Sequence, residues 1–407
     1  MRPSAILPQC LPSVFSTLHA ATATVLLKAL DALASGSWLT MTEIARHWPG
    51  AMRVAAPLKA IDRLLRSAPL ERQRAAIYQA MLRWLIREPH PLIVVDWSDL
   101  KPDGSFKLLR AGLAVRGRTL TLWEEVHPEK SAGSAVVERA FLRKLASLLP
   151  QGCRPVILSD AGFRRPWFTA VTALGWDYVG RVRGTVHVQP VRKAAINAAD
   201  WLPCSALHEL ALPERSRELG AFHLGRTKTV TTRIVVHQSR PKGRRALTRR
   251  GARRRDSTSQ SAARSAREPW VLATSLPPER GTPVQLACLY QRRMTIEQGF
   301  RDLKSGTFGA GFEHSLTRKD SRLSNLLLLF ALVQLATWLV GLHEEHQGRG
   351  GRLEGKNTCV RSHHSTMRLG VEVLRRPAWW PSPHQLLRFL SHLAHGAPPP
   401  LQTCPLS

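Results

Sequence analysis

Acidic residues are scarce in this sequence. Its 407 residues hold 29 Asp and Glu against 59 Lys and Arg, which gives a formal net charge of +30. Hydrophobic residues still make up 43 %, so the chain is not a disordered polycation, and its length suits two or three domains. An excess of positive charge of this size indicates a polyanionic partner, most simply nucleic acid, with an anionic membrane surface as the alternative.

Paired cysteines and a clear targeting signal are also lacking. The six cysteines are scattered without a CxxC pair, which argues against a zinc knuckle or a disulfide framework and favours a reducing cytoplasm. Prolines interrupt the apolar part of the N-terminal "MRPSAILPQCLPSVF", so we expect no secretory segment. The apolar run 326–342 contains Gln334 and Thr337, and we expect a buried core helix there rather than a membrane span.

The first part of the chain changes from a helical to a strand-like period. Residues 1–88 have helical spacing, with a capping box at Thr40 and Glu43, and fit a helix-turn-helix-like DNA-binding region or, equally, a plain helical bundle. Residues 89–185 read as three antiparallel strands, a helix, a strand, a helix and a strand. This order predicts a mixed α/β domain.

The second part of the chain is less regular. Residues 186–268 read as a β-rich insertion, within which 241–267 hold ten Lys and Arg against one acidic residue, as in a mobile basic arm. A strand and helices return over 269–345, and we predict a second part of the α/β domain there. Residues 346–407 contain two more helical stretches and are assigned to a C-terminal helical region with a dimerisation role.

Two aspartates end buried strands in the α/β region. Asp96 follows "LIVV" and Asp160 follows "VILS", and each precedes a turn. An aspartate in such a place is often only a turn or cap residue. Two of them on strands separated by one helix point instead to side chains that converge at one edge of a sheet, where α/β folds place their chemistry.

The stretch "YQRRMTIEQGFRDLK", 290–304, holds a third carboxylate on a basic stripe. At about 100° per residue of a helix, Tyr290, Arg293, Glu297, Arg301 and Lys304 fall within a sector of roughly 80°. The apolar residues form a separate docking stripe. Glu297 is either an ion-pair partner of its basic neighbours or a ligand for a metal ion.

Three carboxylates at one sheet edge suit two hard divalent ions, and Mg²⁺ is the best fit. Two such ions activate the attacking oxygen and stabilise the leaving oxygen of a phosphoryl transfer. The flanking Arg293 and Lys304 would neutralise phosphate charge. Water or a DNA 3′-hydroxyl can then attack without a nucleophilic side chain.

These residues stand in blocks that resemble a known family. The segments "VVDWSD" and "LSDAGF" and the spacing Y-x₂-R-x₃-E-x₆-K look like the three blocks of DDE transposases of the bacterial IS-four insertion-sequence family, closest to its cut-and-paste members of the Tn-ten type. Further segments are similar, among them "LGWDYVGRVRG", "EPWVLATSLP" and "STMRLGVEVLR". The resemblance covers about residues 25–380.

The resemblance implies a fold and a set of site residues. The fold would be a ribonuclease-H-like core, a mixed five-stranded sheet with helices, interrupted by the β-rich insertion. Asp96, Asp160 and Glu297 would be both the catalytic triad and the ligands of two Mg²⁺ ions, with Mn²⁺ as a substitute. The DNA contacts would come from residues on both sides of Glu297, namely Tyr290, Arg293, Lys304, Arg301, Trp270 and Met294. Trp270 would stack on a base flipped from the end, Met294 would fill the vacated space, and Trp97 and Asp99 would have supporting roles.

We therefore expect a DNA transposase that binds the inverted-repeat ends of its element in the bacterial cytoplasm. It would nick, form and resolve a hairpin, and join the ends to target DNA, as a homodimer bridging two ends and without a membrane partner. One alternative is a ribonuclease-H-like nuclease that performs no strand transfer. The other is an inactive end-binding relic or regulator.

Overall fold

The computed structural model describes residues 2–184, 186–191, 200–240, 268–307, 309–350 and 365–395. The basic arm predicted at 241–267 lies outside these ranges. The chain divides into two compact units, each described here by itself. The first unit contains the described residues of Met1–Cys153 and Met294–Thr403, and the second those of Arg154–Arg293.

The first unit begins with six helices. They are α1 (Pro3–Cys10), α2 (Pro12–Phe15), α3 (Ala20–Ala34), α4 (Met41–Arg46), α5 (Ala55–Leu65) and α6 (Ala68–Leu85). Side-chain caps fix two of the starts, because Thr40 accepts a hydrogen bond from the Glu43 amide and Ser67 accepts one from the Leu70 amide. The apolar faces are buried, so the helical spacing of this region is confirmed.

Three antiparallel strands follow in the order β3-β2-β1. They are β1 (Leu92–Asp99), β2 (Phe106–Val115) and β3 (Arg118–Pro128), and α7 (Ala135–Leu148) comes after them. The prediction that Asp96 ends its strand is wrong, because β1 continues to Asp99 by pairing with β2. The register places Asp96 opposite Arg110, and Arg110 opposite Glu124. A register shift at Ala111/Gly112 marks a bulge in the β2–β3 pair.

The first unit is completed by four helices from the last part of the chain. They are α10 (Met294–Lys304), α11 (Asp320–His346), α12 (Thr366–Arg375) and α13 (Pro383–His395). α10 packs on β1, β2 and β3, whereas α11 packs against helices on several sides, among them α1, α3, α6 and α12. Gln334 of α11 accepts a hydrogen bond from the Thr121 amide at 2.9 Å and donates one to the Thr119 carbonyl at 3.2 Å.

The apolar run 326–342 lies within α11. This helix has 27 residues and is long and apolar enough to cross a membrane, but 89 % of its most apolar window is buried inside the protein. The buried core helix expected there is confirmed. Hydrophobic burial against its neighbours gives such a helix its stability in water.

The second unit is built on a seven-stranded mixed sheet. Its strands are β4 (Val156–Ser159), β5 (Asp177–Val182), β6 (His187–Pro190), β7 (Leu202–Pro203), β8 (Ser216–Leu224), β9 (Val230–His237) and β10 (Trp270–Thr274), with helices α8 (Arg165–Ala173) and α9 (Pro283–Gln291). The strand order is β4-β5-β10-β9-β8-β6-β7. β4 and β5 are parallel, and β10 is antiparallel to both β5 and β9. The strands of the predicted insertion therefore extend the sheet that β4 and β5 begin.

The stretch 290–304 is not one helix. α9 ends at Gln291 and α10 begins at Met294. The amides of Arg292 and Arg293 bond to the carbonyls of Leu289 and Tyr290, three residues back, so the last turn of α9 tightens before the chain restarts as α10. The single basic stripe predicted from Tyr290 to Lys304 is wrong, because helical spacing cannot be carried across this break.

Candidate active site

The side of β1 that carries Asp96 faces α10. Side chains alternate along a strand, so Asp96 and Ser98 lie on the same face of β1. Lys304, at the end of α10, donates to the Ser98 hydroxyl at 2.9 Å and to the Asp99 carbonyl at 3.1 Å. The end of α10 therefore lies over the end of β1, on the Asp96 face.

The opposite side of α10 contacts β3. Asp302 and Arg118 form an ion pair at 2.6 Å. Gly299 approaches Thr119 so closely that a Cβ at this position would lie 2.8 Å from its hydroxyl oxygen. A side chain at this position would therefore require Thr119 or α10 to shift. α10 is thus held with one side toward β1 and the other toward β3.

Glu297 lies on the β1 side of α10. It precedes Lys304 by seven residues, two turns of helix, so the two side chains leave the helix within about 20° of each other. Glu297 and Arg301 are exposed, and Asp96 is 8 % exposed and accepts a hydrogen bond from the Trp97 amide. The first unit thus places two carboxylates and a row of basic side chains on adjoining surfaces of one helix and one strand.

Burial shifts the pKa values of charged groups on both sides of α10. Loss of solvent lowers the pKa of the Lys304 ammonium, and the nearby Asp99 opposes this change. Loss of solvent also raises the pKa of the Asp302 carboxyl, against the effect of Arg118. The contact of α10 with β3 joins two charged side chains, Asp302 and Arg118, and its contact with β1 joins the Lys304 ammonium to neutral oxygen atoms. Both are charge-assisted hydrogen bonds, because at least one partner of each is charged.

The two residues expected to support the site have partners of their own. Trp97 donates its indole N–H to Glu138 of α7 at 3.2 Å. Asp99 forms an ion pair with Lys107 of β2. These contacts hold the end of β1 on both sides of Ser98.

Asp160 follows β4 in the second unit and is partly exposed. Its carboxylate accepts a hydrogen bond from the Gly162 amide at 2.8 Å, which closes the turn after the strand. The position at the end of a strand, expected from the sequence, is confirmed, while its catalytic role stays a prediction.

Three of the residues predicted to contact DNA are neighbours in the second unit. The ring of Trp270 meets the ring of Tyr290 edge to face at a centroid distance of 5.1 Å. The Arg293 guanidinium lies 6.0 Å from the centre of the Tyr290 ring. Trp270 is partly exposed, whereas Tyr290 is buried. The cluster therefore presents an aromatic edge beside a cation, a combination that suits nucleic acid.

The remaining predicted contact, Met294, begins α10 and is 47 % exposed. A methionine with this exposure is available to an apolar partner.

Several charged residues near these sites were missed by the sequence reasoning. Arg183 and Arg181 both pair with Glu268, and the hydrogen bond from Arg183 lowers the pKa of the Glu268 carboxyl. Arg110 is buried next to Asp96 in the strand register. The sequence could have drawn attention to Arg110, since a single arginine interrupts the apolar run "KLLRAGLAV".

The donors in the first unit suit a hard cation. Mg²⁺ is commonly bound in proteins through one or two carboxylates together with substrate phosphates. Asp96 and Glu297 supply oxygen donors of this kind, so the residues present fit the ion. Across the described ranges no group of three or more His, Cys, Asp or Glu side chains is arranged to hold a metal ion. The first unit therefore provides a pair of carboxylates, Asp96 and Glu297.

The chain was compared with solved structures and with curated proteins. A cryo-EM structure of a piggyBac transposase synaptic complex with hairpin DNA matches with a TM-score of 0.44 and 10 % sequence identity, over 96 % of this chain and 82 % of that one. No curated protein matches the sequence.

A family comparison is decisive. Residues 87–335, well over half of the chain, match the family described as the transposase DDE domain. The matched segment contains the three carboxylates singled out above, Asp96, Asp160 and Glu297. The chain therefore belongs to the transposase DDE domain family, a family of DNA transposases.

Proposed function

We propose that the protein binds the inverted-repeat ends of its own insertion sequence and moves it by a cut-and-paste route. The observation that carries this proposal is the placement of Glu297 on the β1 side of α10, over the strand face that bears Asp96. A DDE transposase needs carboxylates beside a surface that receives the DNA backbone. The net charge of +30 supplies the attraction to DNA.

The roles of the side chains follow from their chemistry. Asp96 and Glu297, with Asp160 as the third carboxylate, hold Mg²⁺ ions, for which Mn²⁺ substitutes. Bound divalent ions supply activation of the attacking oxygen and stabilisation of the leaving oxygen. Lys304 and Arg301 on the same stripe of α10 neutralise phosphate charge, and Lys304 also fixes α10 to β1.

The proposed order of reactions is nicking, hairpin formation, hairpin resolution and joining of the released 3′-hydroxyls to target DNA. Trp270 takes up a flipped base during hairpin formation, and Tyr290 and Arg293 hold the adjacent backbone. Met294 fills the space that the flipped base leaves. The working form is a homodimer that bridges two ends, because cleavage at both ends must be coupled.

A cleavage assay tests the proposal. Purified protein, a labelled DNA end and Mg²⁺ should give nicked, hairpin and joined products. Glu297→Gln keeps the size of the side chain but removes its charge, and it should abolish nicking while leaving end binding intact. Glu279→Gln, an exposed carboxylate after β10, is the matched control and should cut like the wild type.

The products also separate the alternatives. Cutting without any joined strands would identify a nuclease. End binding without metal-dependent cutting would identify a relic or regulator. If Glu297→Gln cut as well as wild type, the assignment of Glu297 would be wrong.

A further inference from the structure

A row of three charged residues crosses the strands of the first unit. Asp96 of β1 lies opposite Arg110 of β2, which lies opposite Glu124 of β3. Residues directly opposite each other share a face of the sheet, so all three side chains start on the Asp96 face. Arg110 is 1 % exposed and Glu124 is fully buried. Charges buried this deeply must be compensated by partners.

The partners of Glu124 hold the ion pair in place. Arg110 Nε donates to Glu124 Oε2 at 2.8 Å. The hydroxyl of Tyr78, from α6, donates to Glu124 Oε1 at 2.8 Å. Burial raises the pKa of Tyr78, and Glu124 raises it further, so the hydroxyl stays protonated and remains a donor. Both carboxylate oxygens are thus engaged, which fixes the direction in which Arg110 extends.

Arg110 also touches the helix that carries Glu297. Its guanidinium carbon lies 5.3 Å from the centre of the Phe300 ring, a cation–π contact. Phe300 is the buried residue three positions after Glu297 on α10. One guanidinium therefore neighbours the strand position of Asp96 and supports the turn of α10 that follows Glu297.

We propose that Arg110, oriented by Glu124 and Tyr78, is a positioning residue for the Asp96–Glu297 pair. It fixes the spacing of β1 and α10, the two elements that carry the carboxylates. This inference rests on the proposed function of that pair. A buried ion pair that served stability alone would leave cation binding unchanged when it is replaced by a neutral pair of the same shape.

The test compares two variants. One is the double variant Arg110→Gln, Glu124→Gln, and the other is the single variant Arg118→Gln, which serves as the control. The double variant removes both charges but keeps groups able to bond to each other and to Tyr78. Arg118→Gln breaks a different ion pair between a strand and α10, the one with Asp302. The control therefore loosens the same helix at a point away from Asp96.

The readouts are Mn²⁺ binding by electron paramagnetic resonance, the Mn²⁺ concentration for half-maximal nicking, and urea unfolding. We expect the double variant to fold and to bind Mn²⁺ about 10- to 100-fold more weakly, as when a partner of a metal ligand is removed. Arg118→Gln should bind Mn²⁺ like the wild type even if its unfolding midpoint falls. The metal-binding readout does not depend on cleavage.

Two results would overturn the proposal. The double variant could bind Mn²⁺ as tightly as wild type, or the control could lose as much affinity as the double variant. If the double variant fails to fold, Arg110→Lys keeps the charge but loses the fixed fork of the guanidinium. Wild-type Mn²⁺ binding by this folded variant would then count equally against the proposal. Wild-type protein that binds Mn²⁺ but never cuts end DNA would refute the proposed function and leave the comparison for Arg110 intact.

Discussion

Trp270 has the surroundings expected of a stacking residue. It begins β10, is partly exposed, and is flanked by the rings of Tyr290 and of His237 at 5.3 Å. These contacts fix the ring, and part of the side chain remains exposed. A pre-oriented ring loses little freedom when a base stacks on it, so binding costs less.

The corresponding variant is Trp270→Ala. Stacking of a base on an aromatic ring contributes about 1–3 kcal/mol, so we expect hairpin formation to slow by about 5- to 150-fold while the first nick is nearly unchanged. Timed gels of nicked and hairpin products measure both steps. Trp270→Phe retains a ring and should recover most of the hairpin rate. Equal slowing of the nick and the hairpin by Trp270→Ala would contradict a role in base stacking.

The cysteines differ sharply in their surroundings. Burial raises the pKa of Cys10 to about 12, and that of Cys153 and of Cys204 to about 11. Cys288 on α9 is exposed. Because the thiolate is the reactive form, the three with raised pKa values carry almost no reactive form near neutral pH.

Alkylation tests this difference. In a Cys359→Ser, Cys404→Ser background, iodoacetamide at pH 7.5 should modify Cys288 well before the other three thiols, as read by mass spectrometry of peptides. Unfolding in urea should make all four react at similar rates. Rapid labelling of Cys10 in the folded protein would contradict its buried position.

The crossing of α11 and α12 depends on two glycines. A Cβ at Gly341 would lie 2.0 Å from the Thr366 carbonyl oxygen, and one at Gly370 would lie 1.9 Å from the Thr337 carbonyl oxygen. Both obstacles are backbone atoms, which cannot rotate away. The helices therefore pack with their backbones in contact, and neither position has room for a methyl group.

Gly370→Ala should consequently destabilise the protein. Overpacking costs about 1–3 kcal/mol, and we expect it to outweigh the better helix propensity of alanine, about 1 kcal/mol. Urea titration measures the change. Arg368→Ala, on the exposed side of the same helix, breaks an ion pair with Glu372 and should change stability by less than about 1 kcal/mol. An unchanged or raised midpoint for Gly370→Ala would show that the helices can separate at no cost.

Elements with a strong local pattern were predictable. The strand that carries Asp96, the strand that ends before Asp160 and the apolar helix α11 occur where the sequence predicts them, because their burial is written in continuous apolar runs. The end of β1 was not predicted, since pairing with β2 carries this strand three residues past Asp96. The break between α9 and α10 was not predictable, since "QRRM" contains no glycine or proline to mark it. That break comes from hydrogen bonding of the last turn of α9, which has no residue signature.

The candidate site likewise has features that the sequence predicts and features that it does not. Carboxylates that follow apolar runs are visible in a sequence, and the family resemblance adds their roles. Glu124, the partner of Arg110, comes from β3, 14 positions away, and Tyr78, which bonds to Glu124, comes from α6, 46 positions from Glu124. Both contacts depend on strand register and helix packing. Such pairings are set by the tertiary fold, so the sequence alone could mark Arg110 as unusual but could not pair it with Glu124.

Across the whole chain the dominant property is positive charge. Neutralising DNA phosphates releases counterions, so affinity should fall steeply with salt. We expect a loss of about a thousandfold or more between about 50 and about 200 mM KCl, as for proteins with six or more phosphate contacts. Fluorescence anisotropy with a labelled end and with a random duplex measures both slopes.

The two duplexes should share this salt dependence but differ in absolute affinity. Phosphate contacts act on any sequence, whereas contacts to base edges distinguish the element's end. Affinity for the end that hardly changed with salt would contradict an electrostatic basis for binding.

Gln334 has a consequence for solubility. β3 pairs on one side with β2, and within the described strands it is the last of its sheet, so the backbone groups on its outer edge have no partner strand. Such edges invite a strand from another molecule and lead to aggregation. The Gln334 amide bonds to one N–H and one C=O of this edge, as a neighbouring strand would. A single polar side chain within an apolar helix thereby occupies the edge of β3 at Thr119 and Thr121, where another strand would otherwise pair.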